Sequence, residues 1–243
     1  MMPGLVEQDP YLRIKKFFDE KKFDDVISYC QKLLSKDPKN KIALQNISTA
    51  YNMVGGYHDA IRNSEQMLEI DETDVFALKN RMFAYEKLEN YEEVLKCCEK
   101  ILKQNKDDVD TLIGKGIVLN KTGKHDDAIS VYKKVLDNDK KNLDALMNIA
   151  ITYNYLQKYT DAINYYDKVQ VLTQKFSNIP FEKSKAFEAL GKTDDAFLAA
   201  QGIRLQEAES IKTNAKSKNY SVQHAYELKR FHKLSKLKDN DSN

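Results

Sequence analysis

The sequence has few of the residues that interrupt helices, with four prolines and eight glycines among 243 residues. Because proline and glycine are the strongest local breakers, their scarcity favours helices over other elements. No apolar run approaches the length needed to span a membrane. The first ten residues, MMPGLVEQDP, do not have the basic-then-apolar layout of a secretion signal. The composition, 42% hydrophobic and 31% charged, predicts a soluble chain of one or two domains.

Cysteine and histidine are also sparse. The three cysteines are Cys30, Cys97 and Cys98, and their odd number and lack of ligand spacing argue against a disulfide framework or a zinc site. We therefore expect reduced thiols in a cytoplasmic protein. There is no HExxH, GxSxG or phosphate-loop motif. The sequence thus predicts no catalytic residue, no metal and no cofactor, and we expect the protein not to be an enzyme.

The positive charge is concentrated at one end of the chain. The net charge is +2, yet residues 211–243 contain eight Lys or Arg and three Asp or Glu. The sequence before residue 211 is close to neutral. A basic segment of this kind is typical of a solvated tail, and it also leaves open a contact with nucleic acid.

One string recurs along the chain. KFDDVISYCQKLL begins at Lys22, KHDDAISVYKKVL at Lys124, KYTDAINYYDKV at Lys158 and KTDDAFLAA at Lys192. The copies are separated by multiples of 34 residues, and a fixed period of this size indicates stacked repeats. With Glu7 as position 1, six repeats follow without insertion or deletion, after an N-terminal lead of residues 1–6. They are 7–40, 41–74, 75–108, 109–142, 143–176 and 177–210.

Each repeat predicts two helices, which we call helix A and helix B. Helix A covers repeat positions 2–15, with apolar residues on one face, and helix B covers positions 18–31. Acidic residues at positions 18 and 19 begin helix B, where they can cap free N–H groups and meet the positive end of the helix dipole. A small or β-branched residue follows at position 20, where another helix comes close. That column is Val26, Ala60, Val94, Ala128, Ala162 and Ala196.

Two successive repeats carry the spacing of a known family. Leu112, Lys115, Gly116 and Leu119 are followed by Ala128 and Tyr132. In the next repeat Leu146, Ile149, Ala150 and Tyr153 are followed by Ala162 and Tyr166. The chain resembles the tetratricopeptide repeat (TPR) family. The resemblance implies an all-α fold, a right-handed α-solenoid of antiparallel helix pairs, with helix A lining the concave side.

The chain departs from the family pattern at two positions. Position 7, usually apolar, is basic in four repeats, as Arg13, Arg81, Lys115 and Lys183. These side chains can extend to water along their stems, or they can meet a buried acidic partner. Position 27, often alanine in the family, is Leu33, Met67, Ile101, Val135, Val169 and Ile203.

The last repeat and the tail follow a different pattern. Helix B of repeat 6 is expected to continue to Ile211, because apolar residues stay on one side from Ala196 onward. Residues 221–238 have apolar residues every third position, a spacing that forms no single apolar face. We predict a marginal or separately docked helix within a basic extension, 211–243, that is partly disordered. A basic arm for nucleic acid or membrane is the alternative.

The face of helix A opposite its apolar side is the candidate binding groove. Asparagine recurs there at positions 6 and 12, and its amide can both donate to and accept from a peptide backbone. Similar asparagine ladders occur in some peptide-binding relatives. The predicted groove consists of Asn46, Asn52, Asn80, Phe83, Lys87, Ile117, Asn120, Asn148, Ile151, Asn154 and Tyr155.

The sequence indicates less about the identity of the partner than about the position of the groove. The family's clamp for a terminal carboxylate needs Lys, Asn and Lys in successive repeats, but Lys79 is followed by Gly114 and Asp144, so we expect no preference for an acidic C-terminus. The favoured function is a non-enzymatic scaffold that binds a protein or peptide segment. The alternative is a nucleic-acid-associated adaptor acting through the basic tail, although the mixed charges of the groove disfavour nucleic acid. Self-association remains open, and no membrane partner is predicted.

Overall fold

The computed structural model describes residues 9–173 and 178–240, with side chains as far as residue 233. The predicted N-terminal lead, residues 1–6, lies outside this part of the chain. The fold is all-α, as the sequence predicted, and the chain divides into two compact units, Met1–Thr122 and Gly123–Asn243.

The first unit contains seven helices within its described residues. They are α1 (Pro10–Asp19), α2 (Phe23–Lys36), α3 (Lys41–Val54), α4 (Tyr57–Ile70), α5 (Val75–Lys87), α6 (Tyr91–Gln104) and α7 (Val109–Lys121). Consecutive helices pack against each other, and α3 also contacts α5. In this unit α1, α3, α5 and α7 are the A helices of the repeat. Turns of a few residues join the helices, so neighbouring helices run antiparallel.

The second unit also contains seven helices within its described residues. They are α8 (His125–Asn138), α9 (Leu143–Tyr155), α10 (Tyr159–Leu172), α11 (Ile179–Ala189), α12 (Thr193–Ala200), α13 (Leu205–Lys218) and α14 (Val222–Asn240). Here α9 and α11 are A helices, and α8, α10 and α12 are B helices. No helix in the described ranges of the chain has the length and apolar character required to cross a membrane.

Side chains at repeat position 34 cap the A helices that follow them. Asn40, Asp74, Asp108 and Asn142 each accept a hydrogen bond from the backbone N–H three residues later, at 2.9–3.0 Å. The acids at the start of the B helices behave differently from our expectation. Within the described residues they lie in the first turn without making a capping hydrogen bond. They therefore act through the helix dipole, which their charge complements.

The turn between helix A and helix B has a left-handed residue at position 15 in every repeat. Gly55, Gly123 and Gly191 have φ between 68° and 83°, whereas Lys21, Glu89 and Gln157 adopt φ of 56–57°. A residue with a Cβ atom pays a steric penalty in this conformation, and glycine does not. Half of the repeats therefore contain a strained turn residue.

We expect Glu89→Gly to raise the free energy of unfolding by about 0.5–1 kcal/mol, because relief of the left-handed strain exceeds the added entropy of the unfolded chain. The matched change Gly55→Ala should lower it by about 1 kcal/mol. A Cβ atom at Gly55 would meet no other atom within 4 Å, so backbone strain alone is tested. Urea denaturation measures both, and shifts of the same sign would contradict this explanation.

The core combines predicted and unpredicted columns. The predicted column at position 20 is buried in all six repeats, including Ala128 and Ala162. Small residues at positions 3 and 10 of helix A, which the apolar pattern did not predict, are buried as well. They include Ala43, Ala77, Thr111, Ala145, Ala50, Ala84 and Thr152. Small side chains let neighbouring helices approach closely, which extends the buried face of helix A beyond the apolar stripe.

The prediction of a continuous final B helix is wrong. α12 ends at Ala200, and α13 begins at Leu205. Gly202 lies between them with φ of 77°, a conformation that a helix cannot contain. The apolar residues that continue one helical face in the sequence pattern instead belong to two helices, which pack against each other through Leu198, Ala208 and Ile211.

The tail forms a docked helix over much of its length. Ala225 of α14 is buried, and Val222 and Tyr226 pack against the same cluster. The Tyr226 ring meets the Phe197 ring edge-on at 5.6 Å. Apolar residues spaced by three thus share one face for about one turn near the start of α14, and that turn is enough to pack against the cluster. The predicted apolar positions Leu234 and Leu237 lie outside the described side chains.

Lys183 has the buried acidic partner that was the sharper of the two alternatives for position 7. Its side chain is wholly buried, and its Nζ lies 2.6 Å from Oδ1 of Asp167 and 2.8 Å from Oε1 of Gln170. Asp167 also accepts the backbone N–H of Leu205 at 3.0 Å, and Gln170 donates to the Gly202 carbonyl at 2.7 Å. Burial lowers the pKa of Lys183, and Asp167 opposes that shift. This network joins α10, α11 and the turn before α13.

The other basic residues at position 7 have different surroundings. Arg81 lies between helices and contacts Glu93 at 3.4 Å. Arg13 is exposed, with its guanidinium 4.7 Å from the ring centroid of Tyr29. Lys115 is half-buried. One repeat position thus supports a buried ion pair, a bridging arginine and an exposed cation stacked on a ring.

Candidate functional site

The eleven predicted groove residues all lie on A helices. Seven belong to the first unit: Asn46, Asn52, Asn80, Phe83, Lys87, Ile117 and Asn120. Four belong to the second: Asn148, Ile151, Asn154 and Tyr155. Five of the six asparagines among them fall into three kinds, which differ in what their amides already bind.

Asn46 and Asn148 bond only within their own helix. The amide of Asn46 donates to the Ile42 carbonyl at 2.7 Å, and that of Asn148 donates to the Asp144 carbonyl at 2.8 Å. Both are half-buried, and within the described residues neither amide oxygen has a partner. These two side chains can therefore still accept a hydrogen bond from another molecule.

Asn52 and Asn80 bind each other across α3 and α5. Nδ2 of Asn52 donates to the Asn80 backbone carbonyl at 3.0 Å, and Nδ2 of Asn80 donates to Oγ1 of Thr49 at 3.2 Å. Asn52 is only 6% exposed, so our expectation that it forms part of an open groove surface does not hold. Its amide fixes the contact between two A helices. Thr49, which the sequence did not single out, completes this network.

The A helices of the first unit also carry exposed apolar side chains. Phe83 is 38% exposed, and Nζ of Lys87 lies 5.2 Å from its ring centroid. Met53 and Phe76 are exposed too. Ile117 and Asn120 are half-buried. The surface therefore offers apolar area together with polar groups, a combination that favours binding of a polypeptide.

The cations of the first unit's A helices are mostly paired. Nζ of Lys79 lies 3.0 Å from Asp108, the N-cap of α7, and 3.5 Å from Asp110. Lys121 approaches Glu86 at 3.6 Å. Burial alone would raise the pKa of Asp108, but hydrogen bonds from Thr111 and Lys79 outweigh it and lower that pKa. Pairing reduces the positive field that a phosphate backbone would require.

The second unit carries a more aromatic surface. Tyr155 is 67% exposed and stacks on His125, with ring centroids 5.8 Å apart and an interplanar angle of 11°. Asn154 donates to Oη of Tyr166 at 3.0 Å, and Ile151 is half-buried. Tyr159, Tyr166 and Glu182 line a cavity together with Asn154 and Tyr155, and the sequence pattern predicted neither tyrosine as a site residue. The two tyrosines belong to a B helix, so a search confined to helix A could not find them.

The described residues hold no group of three or more His, Cys, Asp or Glu that could bind a metal ion. Cys30, Cys97 and Cys98 are buried and unpaired. Burial raises the pKa of these thiols to about 12, 11 and 12, respectively. A thiol that stays protonated at neutral pH is a weak nucleophile, so these cysteines serve packing.

Comparison with known proteins identifies the repeat. The model of the N-terminal TPR repeats region of Psidin matches residues 85–202. No curated protein matches the sequence significantly. A match of this extent covers α6 to α12 and includes the helices that line the cavity of the second unit.

Solved structures of similar fold include TPR proteins and MamA. A TPR protein from Parabacteroides merdae aligns with a TM-score of 0.68 at 17% identity, covering 90% of this chain and 95% of that one. MamA 41-end from Desulfovibrio magneticus RS-1 aligns at 0.62 and 18% identity, covering 68% and 92%. A thermophilic TPR protein from Thermus thermophilus gives 0.55 and 16%, covering 75% and 100%. At these identities the likeness concerns the fold: the chain has the helix-pair fold of tetratricopeptide-repeat (TPR) proteins, and residues 85–202 match a TPR family model.

Proposed function

We propose that the chain is a non-enzymatic interaction scaffold that binds a segment of a partner protein on the exposed face of its A helices. The observation that carries the proposal is the pair Asn46 and Asn148. Each keeps an amide oxygen available, and exposed apolar side chains such as Phe83 and Tyr155 lie on the same faces. Amides that accept from a peptide backbone, beside pockets for side chains, suit an extended segment.

The nucleic-acid alternative has less support from the tail. Lys212 pairs with Asp195 at 2.8 Å, and Lys229 pairs with Glu207 at the same distance. Arg230 lies 3.8 Å from Glu227. These contacts engage several of the tail's cations with acids of the protein itself. We retain the division into six repeats and a basic extension as part of the proposal.

A random peptide library displayed on phage and selected against the full chain tests the groove. Enriched peptides should bind Asn148→Ala about fivefold more weakly than the unchanged protein, the equivalent of one net hydrogen bond. Asn148 is a better probe than Asn80, because Asn80 also joins two helices. Calorimetric titration gives the affinities.

Asn164→Ala is the matched control, since Asn164 is an exposed asparagine on α10, a B helix. It should leave the affinities unchanged. Peptides that lose affinity with Asn164→Ala but not with Asn148→Ala would contradict binding on the A helices, and a selection that enriches no peptide would contradict the scaffold proposal itself.

A further inference from the structure

The second unit contains a cavity of about 450 Å³ bounded by α9, α10 and α11. Its polar and aromatic lining includes Asn154, Tyr155, Tyr159, Tyr166 and Glu182. The volume lies within the range of small ligand sites in proteins, roughly 300–1,000 Å³. The cavity can therefore accept one long side chain of a bound segment.

An unused hydrogen-bond acceptor lies in this lining. Asn154 donates through Nδ2 to Oη of Tyr166 at 3.0 Å. Its Oδ1 is buried and has no hydrogen-bond partner in the described part of the chain. A buried oxygen without a donor costs free energy, so a donor brought by a bound segment would be favoured at this place.

The acid in the lining is also unpaired. Glu182 forms no ion pair within the residues that the structure describes, and its charge adds to the effect of burial in raising the pKa of Tyr166. Lys185 of the same helix also lines the cavity, but within the described residues it forms no ion pair with Glu182, and its Nζ lies 5.2 Å from the ring centroid of Phe181. The carboxylate of Glu182 is thus left available to a cation from outside.

Aromatic rings form the remaining walls. Tyr155 is largely exposed, and stacking on His125 fixes the orientation of its ring. Tyr159 is half-buried and Tyr166 fully buried. The faces of such rings attract cations, and planar guanidinium groups also stack on them.

We propose that this cavity binds the guanidinium group of an arginine in the partner segment. The inference rests on the proposed function, since the arginine arrives as part of a polypeptide lying on the A helices. A guanidinium has five N–H donors in one plane. It can stack on Tyr155 and donate to the Glu182 carboxylate, and it reaches the Asn154 oxygen once binding uncovers that buried atom. A lysine ammonium is compact and strongly hydrated, so it binds here more weakly.

Alanine-based peptides that differ at a single residue test this assignment. One carries arginine, one lysine and one citrulline, which has nearly the shape of arginine but no charge. Each is titrated into the full chain while NMR follows the backbone amides of α9 and α11. The arginine peptide should bind about tenfold more tightly than the citrulline peptide, because citrulline can still stack and donate hydrogen bonds but lacks the charge that strengthens both contacts.

Glu182→Gln should remove this preference, whereas Glu188→Gln should keep it. Both changes remove one carboxylate from α11, but Glu188 is exposed and outside the cavity. Equal binding of the arginine and citrulline peptides would overturn the proposal, as would a preference that survives Glu182→Gln. The phage selection reports on the scaffold function separately, so an arginine preference can fail while groove binding stands.

Discussion

Replacing Lys183 with alanine is expected to lower the free energy of unfolding by about 3 kcal/mol, because removal of one partner from a buried ion pair leaves the other charge uncompensated. Lys183 is wholly buried and binds both Asp167 and Gln170. Asp167 keeps the N–H of Leu205 and some solvent contact, which places the loss at the low end for buried pairs. Urea denaturation followed by circular dichroism measures it.

Lys185→Ala supplies the control for this experiment. Lys185 lies on the same helix, carries the same charge and is exposed, so its replacement should change the stability by less than about 0.5 kcal/mol. If the two variants are equally stable, Lys183 contributes no more than a surface lysine, and the network that joins α10 and α11 to the turn before α13 has no energetic role.

Met67→Ala is expected to lower the free energy of unfolding by about 2–5 kcal/mol, although alanine is common at this position in the family. Met67 is 2% exposed and packs with Leu44 and Ala77. Leu34 and Leu68 complete the contact. The residue therefore fills a space between α2, α3, α4 and α5 that alanine would leave empty. Among the neighbouring residues, Ala77 has only one methyl group and cannot fill the space that the Met67 side chain would leave.

Met53→Ala is the matched control, because Met53 is 58% exposed. Its replacement should change the stability by less than about 0.5 kcal/mol. A similarly small loss for Met67→Ala would show that the helices collapse around the gap, and that position 27 tolerates either residue in this chain. Thermal and urea denaturation of both variants separate these outcomes.

The helix pairs could be predicted from the sequence because the repeat averages out local ambiguity. A single apolar run is compatible with several structures, but six copies in one register leave one common pattern. The burial of Ala128 and Ala162 followed directly from that pattern. The prediction of a continuous final B helix failed in the last repeat, which departs from the common pattern. The break between α12 and α13 depends on Gly202, and the preceding repeats have no glycine at that position.

The candidate site was predictable only as a set of positions. Periodicity placed the asparagines on helix A, but it could not tell Asn148, which bonds to its own helix, from Asn52, which is buried against α5. That difference depends on how closely two helices approach. The cavity beside Tyr155 could not be predicted from the sequence either, because it forms only where α9, α10 and α11 come together.

The amino-acid sequence by itself determined that this protein is a stack of helix pairs, since a period of 34 residues with fixed caps and small residues has one local solution. Only the tertiary structure decided which polar groups are buried or hydrogen-bonded between helices and which remain open to a partner. Lys183 and Asn52 lost their access to solvent, whereas Glu182 and the oxygen of Asn148 kept theirs. When helices pack against each other, some polar side chains gain hydrogen-bond partners and others do not. That outcome depends on the distances between helices, which a linear sequence pattern does not contain.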